Sequence, residues 1–173
     1  VSGQVVMMDD LLWPHFVPLW RDLVAVSAAD ILVAGGYGLF LKQHWLSNEQ
    51  RLPVVVPIQN WLDSTPRVTK DVDLVLGLDL IRNAGQQKAV IMALAANGFM
   101  ASDRPHEQRW KFLKPLKSGQ RIIVEMHSQR PHPQLPGITA TEKRVKHKPS
   151  LGADGVHGRV NTEAAGAEKH PFS

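Results

Sequence analysis

Apolar and polar positions along this chain follow two spacings in turn, and each change of spacing marks an element. From Phe16 to Ala29, Val17, Leu19, Trp20, Leu23, Val24 and Val26 recur at mostly helical intervals and predict a first helix, in which Pro18 fits only the first turn. Asp30 to Ala34 is a short apolar run closed by Gly35-Gly36, the pattern of a buried strand entering a turn. From Tyr37 the period becomes helical, with Tyr37, Phe40, Leu41 and Trp45 on one face and Lys42 and Gln43 turned outward. Residues 47–66 are rich in Pro, Asn, Gln and Ser and read as an irregular insertion, despite the Leu52-Pro-Val-Val-Val56 run.

Lys70 to Leu78 alternates charged and apolar side chains and is rich in valine and leucine, which predicts a strand. A helix is expected from about Gln86 to Asn97, with Val90, Ile91, Leu94 and Ala95 inward and Gly98 as its stop. Gln108 to Leu113 and Arg121 to His127 read as two strands of an antiparallel hairpin. Together these predict an α/β (α+β) fold: a mixed, mostly antiparallel sheet with helices packed largely on one face. Residues 1–142 form the expected domain. Residues 143–173 have almost no large apolar groups to offset their ordering entropy and are expected to be a disordered basic tail.

Composition narrows the chemistry. The chain of 173 residues is 43% hydrophobic, enough for one sizeable core. It has no cysteine, so disulfides and thiolate metal sites are excluded and any metal must take oxygen or imidazole ligands. The longest apolar run, Ile31 to Leu41, is too short and glycine-rich to span a bilayer, and a cytoplasmic protein without membrane contact is expected. Of the formal charge of +4, most sits in the tail, where Lys143-Arg144-Val145-Lys146-His147-Lys148 is suited either to phosphate contact or simply to solvation.

Within the Lys70 strand, Asp71 and Asp73 face the same way, their Cα atoms about 6.7 Å apart, while Val72, Leu74 and Leu76 enter the core. Two carboxylates so placed repel unless a cation neutralises them, and Mg2+ or Mn2+ is the natural candidate. Surface acids on an edge strand are the plain alternative. Gly35-Gly36, between a strand and a helix, offers free N–H groups and close approach to a phosphate, or a simple tight turn. Glu125 emerges from the Arg121 strand on the face shared with Ile123 and His127, either as a third metal ligand or as an ion-pair partner of Arg109 or Lys111 across the hairpin.

Gly35-Gly36, then Arg67-Val68-Thr69-Lys70-Asp71-Val72-Asp73-Leu74, then an acid on a later strand resembles the DNA polymerase beta-type nucleotidyltransferase superfamily. The closest likeness is to the AbiEii/AbiGii-type toxin nucleotidyltransferases, over roughly residues 30–127. The resemblance implies that Asp71, Asp73 and Glu125 ligate Mg2+ or Mn2+ and perform catalysis, and that Gly35 and Gly36 hold the triphosphate. Thr69 and Lys70 would assist with phosphate charge, although Lys70 alternates to the opposite strand face. It also implies transfer of a nucleoside monophosphate from NTP to a hydroxyl of RNA or protein, with an antitoxin as partner. The 47–66 insertion and a glutamate where aspartate is commoner depart from the family pattern.

Other readings stay open. A nucleotidyltransferase scaffold that binds nucleotide, RNA or antitoxin without turnover is one. Asp71-Val72-Asp73 also resembles the first motif of haloacid dehalogenase-type phosphotransferases, but no later acid pair suitable for magnesium follows it. A P-loop is excluded, because no Gly-Lys-Ser/Thr follows the glycines. His106, His127 and His132 are irregularly spaced and suit hydrogen bonding better than zinc, with His127 set apart by sharing a strand face with Glu125.

Overall fold

The computed structural model describes residues 11–48 and 70–161, with the backbone alone for 43–48. Residues 49–66 of the expected insertion, with the Leu52 run, and Arg67 and Thr69 therefore lie outside the described residues. Helix α1 (Trp13–Ser27) is followed by β1 (Ile31–Ala34), α2 (Gly35–Asn48) and β2 (Asp71–Leu76). Then come α3 (Leu78–Arg82), α4 (Ala84–Ala96), β3 (Met100–Ala101), β4 (Lys111–Pro115) and β5 (Arg121–Ser128). The chain continues through β6 (Ile138–Ala140), β7 (Arg144–His147), a 3-10 turn (Gly152–Asp154) and β8 (Gly158–Val160).

These strands form one mixed, mostly antiparallel sheet in the order β1-β2-β5-β8-β7-β6, with β4 also on β5 and β3 on β4. Among the described residues, only β2–β5 and β5–β8 run parallel. The α3–α4 segment supplies part of the crossover that a parallel β2–β5 pair requires. One edge of β5 pairs with β2 from Ile123 to His127, while the other is divided between β4 and β8.

Register explains the layering. Val72 pairs with Val124 and Leu74 with Met126, so their side chains share a face, and all four are buried. Phe16, Leu19 and Leu23 of α1, Leu80 and Ile81 of α3, and Val90, Ala93 and Leu94 of α4 join them in one core. Asp71, Asp73, Glu125 and His127 alternate to the other face of the same strands. No helix among the described residues is long and apolar enough to cross a membrane.

Local differences from the expected elements have physical reasons. Helix α1 begins at Trp13 with Pro14 in its first turn, and Pro18 lies inside it. The Pro18 ring is exposed, so the intrahelical bond it forgoes faces water and not the core. The 70–78 run stops being a strand at Leu76, because Leu78 starts the short helix α3. Asn83 caps α4 by accepting the Gln86 N–H at 3.1 Å, and Gly98, at φ 79°, ends it as expected. On α4 the inner positions include Gln87 and Ala93, whereas Ala95 is exposed.

The expectation of disorder from residue 143 is corrected: residues 143–161 are folded. Few apolar groups suffice there because Val145 and Val156 are fully buried and backbone pairing carries the rest. The buried Gln87 amide accepts the Val156 N–H at 2.8 Å and donates to the Ile81 carbonyl, fixing the segment to α3 and α4. Residues 162–173 lie outside the described residues.

Candidate metal centre

Asp73 occupies the middle of the site because two pairings converge on it. Ala34 is its partner in β1 and Glu125 its partner in β5, so the turn after β1 and the acid of β5 flank it from opposite sides. Gly35 is in the left-handed region at φ 64°, and a Cβ built there would lie 2.1 Å from Asp73 Oδ2. Glycine is thus required twice over, by backbone conformation and by contact with the carboxylate. The Gly35 turn and the acid strand, far apart along the chain, touch.

His127 follows Glu125 on the same face. Its Nε2 lies 3.0 Å from Asp73 Oδ1 and 4.0 Å from Glu125 Oε2. The ring is buried, and its Nδ1 has no hydrogen-bond partner among the described residues. Ligand atoms of Asp73, Glu125 and His127 all fall within 4.8 Å of one another. Two carboxylate oxygens and one imidazole nitrogen make a chemically suitable donor set for a divalent ion.

Asp71 is on the same face, exposed, and outside that convergent group. Its carboxyl is held above the usual carboxylate range, first by desolvation and then by the charges of Glu125 and Asp73, with Lys111 opposing. Lys70 is exposed immediately before β2, where its carbonyl accepts the Ile123 N–H at 2.9 Å. Gly36 follows Gly35 into α2 and is exposed.

Cations compete for the same carboxylates. Lys111 Nζ is 2.9 Å from Glu125 Oε1, the cross-hairpin pair that the sequence offered as an alternative role for Glu125. Arg159 approaches Glu125 Oε2 at 3.7 Å and lies over the Trp110 ring, 5.3 Å from its centroid. His127 was legible through its shared face with Glu125. Arg159 was not, since nothing local in a glycine-rich tail signals pairing with β5. Compared with models of protein families, with curated proteins and with solved structures, the chain matches none.

Proposed function

We propose that this protein is a metal-dependent nucleotidyltransferase that moves a nucleoside monophosphate from NTP to an acceptor hydroxyl. The observation that carries the reading is the contact of Gly35 with Asp73, beside Glu125 on the next strand. It sets the glycine turn that opens α2 beside carboxylates that need a cation.

In this reading Asp73 and Glu125 hold the ion, His127 supplies a nitrogen ligand or orients Asp73, and Asp71 turns in from the same face. Mg2+ or Mn2+ fits the carboxylates, and a nitrogen ligand favours Mn2+ of the two. Such an ion, when bound, neutralises phosphate charge and activates the acceptor hydroxyl. Gly35 and Gly36 receive the triphosphate with backbone N–H groups at the start of α2. The acceptor oxygen bonds to the α-phosphorus, the bond from that phosphorus to the bridging oxygen breaks, pyrophosphate leaves with the electron pair, and the hydroxyl proton passes to water.

Incubation with each labelled NTP, Mg2+ or Mn2+, and cell extract tests the proposal. Label on RNA or protein that Asp73→Asn removes is the expected result, and no label with any nucleotide or metal overturns it.

A second reading has its own support. Glu125 is already paired with Lys111 and Arg159, and Asp73 with His127, so the carboxylates are partly satisfied without a metal. That favours a scaffold that binds nucleotide without turnover. Calorimetry separates the two: metal-dependent nucleotide binding that is insensitive to Glu125→Gln and yields no product supports the scaffold.

A further inference from the structure

The sheet face that bears Asp73 continues past β5 and changes sign. His127 pairs with Arg159 in β8, and Arg159 pairs with Arg144 in β7, so register carries the same face across both strands. Lys146 and His157, each two residues from these, share it. At about 4.8 Å per strand, Arg144 is about 10 Å from β5 and, with a two-residue offset along the strands, about 16 Å from Asp73. Gly35 lies on the other side of Asp73, towards β1.

Lys143, Arg144, Lys146 and His157 line a cavity of about 410 Å³ with Thr141 and Glu142. Among the described residues, no carboxylate lies within ion-pair distance of Arg144, Lys146 or Arg109. His157 lines the same cavity, and its imidazole is pushed down to about 4, first by burial and then by the charges of Arg144, Lys146 and Arg109. Its buried Nδ1 has no hydrogen-bond partner among the described residues. Between cavity and carboxylates, Arg159 lies over Trp110, an aromatic set among the cations. A basic cavity with an Arg159–Trp110 pair beside it suits single-stranded nucleic acid, whose phosphates need neutralising.

We propose that the basic surface of β7 and β8 binds the phosphodiester backbone of a single-stranded RNA, running from Arg144 and Lys146 past Arg159 towards Asp73. That this strand is the acceptor rests on the nucleotidyl-transfer reading. Donor nucleotide then enters from the Gly35 side and acceptor from the β7 side, and the two meet at the carboxylates.

Binding is measured by fluorescence anisotropy of a short labelled oligouridylate, using the full chain carrying Asp73→Asn, in EDTA and without nucleotide, so that it does not depend on catalysis. Arg144→Gln with Lys146→Gln is expected to weaken binding about tenfold and to lower the slope of log Kd against log salt by about 1.4, about 0.7 for each phosphate no longer neutralised. Lys88→Gln with Lys117→Gln, on exposed positions of α4 and the β4–β5 turn, is expected to leave it unchanged. The Lys146 side chain makes no ion pair among the described residues, so Lys146→Gln alone keeps the test usable if Arg144→Gln unfolds the protein.

Oligouridylate binding that the double variant leaves intact overturns the proposal. So does full displacement by inorganic phosphate at equal concentration, which would mean an anion site only, or binding to phosphatidylserine vesicles without binding to RNA. Tight, Lys146-dependent RNA binding with no label transferred to RNA by the wild-type protein keeps the binding surface and removes the acceptor role.

Discussion

Gly35 and Asp73 are in contact through the position where a side chain would begin: a Cβ at residue 35 would sit 2.1 Å from the Asp73 Oδ2 atom. Gly119 has a similar φ of 78° but nothing within 4 Å, so it separates backbone strain from collision. Gly119→Ala is expected to cost about 1 kcal/mol and Gly35→Ala about 2 to 3 kcal/mol. Urea unfolding of both variants gives the comparison, and equal losses would show that the carboxylate moves aside freely.

Asp73→Asn should separate activity from stability. Its carboxylate accepts from His127 Nε2 but is a third exposed, so the loss of folding free energy should be about 1 kcal/mol or less. Transfer activity should fall at least about a hundredfold, as for loss of a charged group acting directly on the reacting phosphate. Asp71→Asn is expected to follow the same pattern in the labelled-nucleotide assay. Loss of the fold in either variant, seen by circular dichroism, would mean that these acids are structural.

His157 gives the protein a pH dependence with a defined sign. Its folded-state value of about 4 lies below the ordinary 6.5, so between these limits the unfolded chain binds the extra proton. Stability is therefore expected to be whole above pH 6.5 and to fall as the pH drops towards 4. In His157→Gln, melting temperatures between about pH 7 and about pH 4.5 should decline less steeply than in the wild type. Parallel curves would place the acid sensitivity elsewhere.

Gln87 joins the helical layer to the late strands through two buried hydrogen bonds. Gln87→Leu keeps the volume but strands the Val156 N–H and the Ile81 carbonyl, at a cost of about 2 to 4 kcal/mol. Residues 143–161 should then become the first site of limited proteolysis, with cleavage mapped by mass spectrometry.

Much of this was legible because alternation is a local signal. Val72, Leu74 and Leu76 marked the core face of their strand, and with it the opposite face of Asp71 and Asp73. Register is not local. That Asp73 stands opposite Glu125, and that His127 leans on it, depends on which strands pair and in which direction, and no spacing encodes that. The order of residues 143–161 escapes composition for the same reason: Val145 and Val156 are too few to form a core of their own, and they fold by adding to one already built. The helix α3 was hidden inside an apolar run whose strand and helix readings share the same residues.

Because β8 lies along the end of β5, the backbone amides and carbonyls of His127 and Ser128 are covered by the last described strand. A chain cut after residue 142 would lose that cover, expose a raw ribbon edge beside the carboxylates, and be expected to self-associate through it. Expression of the shortened chain as soluble monomer would mean that the final strands are ornament to the fold.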